Sequence, residues 1–296
     1  MSHDIGTLGF IGLGAMGSRM ARNLLNAGYE LVGFDIDTER LTECEQAGAK
    51  GASSASEVVE RADVVLTSLT TSDVFQRVAE SELIPNAREG QVFIEHGTTR
   101  PPMTRRLSAD FAERGGIMLD APVSGGADGA KNGTLRMWVG GDEPTARRCW
   151  ELFEIIADPR YLIYAGPSGC GQIMKCIQQL SGGLAEAVQL ELVAFGRLAG
   201  LPMETLAAGM KDKESFLAAL NCVRAGKTGE MDMKYGEWGY ALSEAGEKGF
   251  RMPVLEALSE FLKDAPHEHT DGQGRAYPSL WDALLRAARP GKLEHE

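Results

Sequence analysis

Four groups of residues in this chain have types and spacings that could do chemistry: G-x-G-x-x-G at Gly12, Gly14 and Gly17, an acid at Asp35, the run Ser124, Gly125 and Gly126, and Lys175. The glycines directly follow the apolar run Leu8 to Ile11 and precede the helical run SRMARNLLNAGY. In that strand-turn-helix setting Gly12 would permit a tight turn, Gly14 a close approach of backbone to a pyrophosphate, and Gly17 close packing of helix on strand. The helix N-terminus would favour the negative charge. Leu13 and Met16 lie inside the same turn and belong to the expected cofactor-binding set. Asp35 ends the next apolar run, ELVGFD, roughly 20 residues on, where a carboxylate accepts hydrogen bonds from an adenosine ribose. Its other reading is a cap for the following helix. A carboxylate there repels a 2′-phosphate, so NAD is the expected cofactor and NADP the less favoured one, with Arg40 the nearby residue that could soften the preference.

A nicotinamide cofactor moves hydride, so a side chain must take or return the hydroxyl proton of the other reactant. Lys175 suits that role because it lies early on a long helical stretch, where partial burial would ready its amine for proton transfer. The competing reading is a surface lysine on an amphipathic helix. Gln179, four residues later, shares its helix face and could hydrogen-bond a substrate carboxylate or hydroxyl. Ser124, Gly125 and Gly126 follow the apolar run IMLDAPV, and successive N–H groups beside a hydroxyl make an anion cradle. A plain glycine turn is the alternative.

The elements that must position these groups form two parts. From about Leu8 to Ala165, short β-rich runs (LGFIGLG, ELVGFDID, ADVVLTSL, QVFIEHG, IMLDAPV, LRMWVGG) alternate with amphipathic stretches. That rhythm predicts an α/β, Rossmann-type doubly wound parallel sheet over residues 1–166. Beyond Pro167 no convincing β run occurs, and Ile173, Ile177, Leu180, Leu184, Val188, Leu192, Phe195 and Leu198 recur at helical steps. An all-α C-terminal domain over 167–296 is expected.

Bulk properties narrow the function classes. With 43% hydrophobic and 24% charged residues in a chain of 296, an ordinary folded protein of two cores is expected. No apolar run approaches the roughly 18 residues of a membrane helix, and the N-terminus lacks the marks of a secretory signal, so a cytoplasmic, membrane-free protein is expected. Five scattered cysteines without C-x-x-C spacing argue against a disulfide framework. A net charge of −12 without a Lys/Arg cluster speaks against nucleic acid as a partner. His267, Glu268 and His269 sit in a polar stretch without further ligands nearby, so no metal is expected.

The segments GFIGLGAMGSRMARNL at 9–24, DAPVSGGADGAKNGTL at 120–135, GPSGCGQIMKCIQQ at 166–179 and MKYGEWGYALSEA at 233–245 resemble the β-hydroxyacid dehydrogenases, the superfamily of 3-hydroxyisobutyrate and 6-phosphogluconate dehydrogenases. The resemblance implies hydride transfer between NAD and a small β-hydroxy acid or its semialdehyde, with Lys175 catalytic and Ser124, Gly125 and Gly126 on the substrate carboxylate. It further implies that Leu69, Thr70 and Thr98 border the nicotinamide, that Lys234 reaches the active site, and that the chain forms a homodimer or homotetramer. The chain departs from the family pattern at Gln178 and Gln179, where paired asparagines are usual, at Glu95 and Gly97, which replace an aspartate and a serine, and at Tyr235, which replaces an aspartate. Two alternatives stand beside this reading. One is an imine reductase-like enzyme, against which Lys175 argues. The other is a non-catalytic dinucleotide-binding protein, which the departures would suit.

Overall fold

Strand formation follows the apolar runs closely, because VVLT, VFIE and their like are rich in residues that pack well on both faces of a buried sheet. The computed structural model describes residues 5–226, 237–265, 269–270, 276–277 and 279–287. Lys234, Tyr235, His267 and Glu268 lie outside the described residues.

Two compact units divide the chain, Met1–Lys175 and Cys176–Glu296. The division falls inside a helix. In the first unit a nine-stranded sheet is built from β1 (Leu8–Ile11), β2 (Leu31–Phe34), β3 (Lys50–Gly51), β4 (Val64–Thr67), β5 (Val92–Glu95), β6 (Ile117–Asp120), β7 (Val123–Ser124), β8 (Leu135–Gly140) and β9 (Ala157–Gly166). The order β3-β2-β1-β4-β5-β6 is parallel throughout, and winding outward from β1 in both directions opens a crevice at the carboxyl ends of β1 and β4. The far edge is mixed: β8 runs antiparallel to β6 and β7, and β9 lies parallel to β8.

Between the strands lie helices α1 (Gly17–Asn26), α2 (Thr38–Gln46), α3 (Ala55–Arg61), α4 (Ser72–Val78), α5 (Pro101–Glu113), α6 (Gly126–Asn132), α7 (Glu143–Arg148) and α8 (Trp150–Ile156). Successive strand residues serve opposite faces of the sheet. On β5, Ile94 joins a core with Leu8, Phe10, Leu24 and Leu66, whereas Phe93 joins one with Val65, Val58, Leu107 and Phe111. Each fully buried side chain of this size stabilises the fold by about 1.5–3 kcal/mol. Helices α1 and α8 cover the first face, and α3 and α5 cover the second.

Helix α9 (Cys170–Leu198) carries Lys175 at the end of the first unit and continues as the opening element of the second. The second unit adds helices Met203–Gly209, Glu214–Ala225, Trp238–Glu247, Pro253–Leu262 and Leu280–Ala287 around a core that includes Leu190, Val193, Phe216, Leu220 and Leu255. Gly183 interrupts the side chains of α9 for a packing reason, since a Cβ there would lie 2.6 Å from the Trp238 ring. One difference from the sequence reading is a two-residue antiparallel pairing of His269–Thr270 with Ala276–Tyr277, too short to register as a β run. Among the described residues no helix is long and apolar enough to cross a membrane.

Candidate active site

The glycine turn after β1 has the geometry its spacing requires. Gly12 adopts φ +90°, and a Cβ on it would approach Ser68 O to 2.4 Å, so strand β4's end presses directly on the turn. A Cβ on Gly17 would meet Gly12 O at 1.9 Å. Gly14 is different: a Cβ there would touch only Arg40 Nη1, at 3.8 Å, so no packing demand explains its lack of a side chain. Open space over a backbone segment that enters a helix N-terminus is what a pyrophosphate needs. Helix α1 starts there with no side-chain cap at Met16, leaving the donors of its first turn without a competing side-chain acceptor.

Asp35 is buried, and its two oxygens are oriented by backbone: Oδ2 accepts from Leu13 N at 2.6 Å and Oδ1 from Asp37 N at 2.9 Å. The carboxylate therefore ties the glycine turn to the end of β2. Capping of α2 falls to Asp37, whose side chain accepts from Glu39 N, which removes the capping alternative for Asp35. Arg40 is held by acids, with Nε 3.2 Å from Asp37 Oδ2 and Nη1 3.9 Å from Asp35 Oδ1.

At the ends of β4 and β5 lie residues whose importance the sequence did not reveal. Glu95 is buried; Oε2 accepts from Thr67 Oγ1 and Oε1 from Gly97 N, the latter at 2.7 Å. Its carboxyl fills the space beside Gly97, where a Cβ would come within 2.3 Å of Oε1 and 3.3 Å of Leu69 O. The two departures at 95 and 97 are thus one: the longer acid occupies the room a side chain at 97 would need. Leu69 and Gly97 are neighbours here, so the loops after β4 and β5 meet beside the Gly12 turn. Thr98 is half-buried and Thr70 exposed.

Burial raises the Glu95 carboxyl to about 8, against the opposing hydrogen bonds from Thr67 and Gly97. A carboxyl raised on folding contributes stability that is complete below its unfolded pKa and is lost as pH rises through the folded value. Thermal unfolding of the protein is therefore expected to shift to lower temperature as pH rises from about 5 to about 8. Glu95→Gln, which keeps an acceptor for Gly97 N and a group to pair with Thr67, should flatten part of that slope; equal slopes for the two proteins would exclude Glu95 as a source. Asp120 works with the same sign, burial raising it to about 7 against the backbone N–H donors of Gly169, Gln172 and Gly171.

Asp120, at the end of β6, is also the anchor of the helix that carries Lys175. It accepts from Gly169 N (2.8 Å) and Gln172 N (3.0 Å), satisfying first-turn donors of α9. The helix start can approach because residue 171 is glycine; a Cβ there would lie 2.4 Å from Trp138 O and 2.7 Å from Asp120 O. Gln172, with no exposed surface, bridges the helix to the loop after β5, donating to Gly97 O (2.9 Å) and accepting from Thr99 N (3.0 Å). One turn further on, Lys175 is 8% exposed and donates from Nζ to Val123 O at 2.9 Å. A buried lysine amine thus stands at the residue before Ser124, Gly125 and Gly126. Gly125 and Gly126 are exposed with φ +139° and +63°, conformations that side chains rarely adopt, and a Cβ on Gly126 would meet nothing within 4 Å.

Within the first unit the structure brings together the glycine turn, Asp35, Leu69, Gly97 and the Val123–Gly126 segment with Lys175. Gln179 belongs to the second unit, where its amide donates to Glu237 Oε2. Asp120, Gln172 and Glu95 are the positioning groups that spacing alone missed. Asp120 and Gln172 lie inside the segments DAPVSGG and GCGQIMK, and a polar residue at a strand end or three before Lys175 was the available signal.

Comparison with known proteins adds an independent line. The family described as the NAD binding domain of 6-phosphogluconate dehydrogenase matches residues 7–172. The NAD-dependent L-serine dehydrogenase of Pseudomonas aeruginosa is 40% identical over 207 residues, 69% of this chain and 68% of that protein. Among solved structures, Mycobacterium tuberculosis 3-hydroxyisobutyrate dehydrogenase with L-serine superposes with a TM-score of 0.78 at 26% identity, over 96% of this chain and 99% of that one. An imine reductase of Bacillus cereus shares the fold at 19% identity, with a TM-score of 0.61 over 95% and 98% of the chains.

Proposed function

The chain belongs to the β-hydroxyacid dehydrogenase family, with a 6-phosphogluconate dehydrogenase-type NAD-binding domain, and from that premise we propose that it exchanges hydride between NAD and a small unphosphorylated β-hydroxy acid of the size of L-serine or 3-hydroxyisobutyrate. It is an NAD-dependent dehydrogenase acting on a CH–OH group. The substrate class rests on its relatives, and one observation carries the residue assignment: a buried lysine amine held at Val123 O beside the Ser124–Gly126 turn.

When bound, the nicotinamide supplies the hydride acceptor or donor. The protein's residues do the rest. Gly12, Leu13, Gly14, Met16 and Gly17 form the turn that takes the pyrophosphate at the start of α1, with Gly12 N held by Phe34 O and Leu13 N by Asp35, whose aligned carboxylate receives the adenosine ribose. Leu69, Thr70 and Thr98 line the nicotinamide end. Ser124 Oγ with the backbone N–H groups of Gly125 and Gly126 binds the substrate carboxylate. Lys175 Nζ exchanges its contact with Val123 O for the substrate hydroxyl, taking the proton in oxidation and returning it in reduction. An imine substrate has no carboxylate for the Ser124 turn, and Lys175 favours the hydroxy acid over that reading.

We also infer assembly as a homodimer or homotetramer in the cytoplasm. Exposed Ile177, Val188, Leu192 and Phe195 form an apolar row along α9, which a second copy would cover, and the described cysteines are free thiols, as a reducing compartment maintains them.

The test is a panel of hydroxy acids, with cyclic amines as controls, assayed for NAD reduction at alkaline pH in parallel with NADP. L-serine or 3-hydroxyisobutyrate is expected among the best substrates, with kcat/KM for NAD at least about tenfold above NADP because of the Asp35 carboxylate. Activity confined to amines, or a preference for NADP, would overturn the proposal.

A further inference from the structure

His96 directly follows β5 and is 2% exposed. Its Nδ1 lies 2.9 Å from Ala121 O, an atom that can only accept, so the ring proton resides on Nδ1. Nε2 is then an acceptor, directed away from that carbonyl, buried, and without a partner among the described residues. A buried acceptor left unpaired is a cost that folded chains seldom carry without a purpose. Burial lowers the imidazole pKa to about 4, so the ring stays neutral and Nε2 stays an acceptor at any ordinary working pH.

Two observations bear on what this acceptor serves. First, strand alternation sends His96 to the face opposite Glu95, the face on which Ile94 shares a core with Leu13, Met20 and Leu24 of the glycine turn and α1. It therefore stands at the carboxyl edge of the sheet, on the side where the dinucleotide turn lies. Second, the carbonyl that orients His96 belongs to the short segment Ala121 to Val123, whose last carbonyl holds the Lys175 amine. The imidazole and the proton-transferring amine hang from one piece of backbone.

We propose that His96 Nε2 accepts a hydrogen bond from the carboxamide N–H of the bound nicotinamide and so sets the rotation of the reacting ring relative to Lys175. The carboxamide is the N–H donor carried by that ring, and an imidazole locked as an acceptor discriminates for a donor. This rests on the reading of the first unit as an NAD site.

Calorimetric titration of the full chain with NAD and with 3-acetylpyridine adenine dinucleotide, in which a methyl replaces the amide nitrogen, separates the two ideas. His96→Phe is expected to weaken NAD by about tenfold and the acetylpyridine analogue by less than about twofold. His96→Gln, which restores an acceptor, should recover most of the NAD affinity. Equal losses for both dinucleotides, as a ribose contact or simple packing would produce, overturn the assignment, as does no loss for either. Absence of NAD binding by the unaltered protein would instead overturn the reading of the site. Should the phenylalanine variant not fold, 15N-histidine spectra of the unaltered protein decide: the His96 Nε2 resonance should move toward the hydrogen-bonded range with NAD and not with the analogue, and equal movement with both refutes the contact.

Discussion

Lys175→Ala is expected to lower turnover by about 100-fold or more while changing the dissociation constant for NAD by no more than about twofold. The two effects separate because the lysine's described contact is with Val123 O, at 2.9 Å, and the dinucleotide turn lies on β1 and α1. At 8% exposure, truncation also leaves a cavity, so a loss of stability could be mistaken for a loss of chemistry. Lys175→Met fills most of that volume without an amine and should be as slow as the alanine variant with a melting temperature near that of the unaltered protein. Single-turnover hydride transfer followed by NADH absorbance gives the rate, and calorimetry the affinity. Turnover near the unaltered level in the methionine variant would exclude Lys175 as the proton carrier.

Gly17→Ala and Gly14→Ala should fail in different ways, although both lie in one fingerprint. An alanine Cβ at 17 would sit 1.9 Å from Gly12 O and 3.0 Å from Phe10 Cε1, so α1 must move off the strand; a loss of about 2–4 kcal/mol of stability and of measurable NAD binding is expected. At 14 the added methyl meets only Arg40 Nη1 at 3.8 Å, and the protein should melt as before. NAD affinity should nevertheless fall by about tenfold or more, because the methyl occupies the space through which backbone approaches the pyrophosphate. Thermal unfolding paired with NAD titration checks both. Unaltered NAD affinity in Gly14→Ala would show that the dinucleotide does not pass over that residue.

The NAD-binding half was legible because its signals are local. A turn that needs Gly12 and Gly17, an apolar strand before it and an acid at the end of the next strand are all properties of short segments, and the structure forms each where the spacing predicts it. Lys175 stands out in the sequence through its surrounding segment, but nothing local shows that it donates to Val123 O. The contacts of Asp120, Gln172 and His96 were not legible, because each depends on an atom remote in the chain: Gly169 N for Asp120, Gly97 O for Gln172, Ala121 O for His96. Glu95 and Gly97 looked like two lost family features and prove to be one exchange of volume.

By itself, the order of residues determined the parallel sheet, the dinucleotide turn and the choice of NAD, since glycine conformations, strand propensity and the sign of a carboxylate act over a few residues and need no distant partner. Tertiary structure alone decided which buried polar groups hold Lys175's helix against the strand ends and that His96 Nε2 is left as a buried acceptor. Those contacts arise only when strands separated by whole crossover helices align, and the burial that moves the Glu95, His96 and Asp120 ionisations exists only once the sheet is covered.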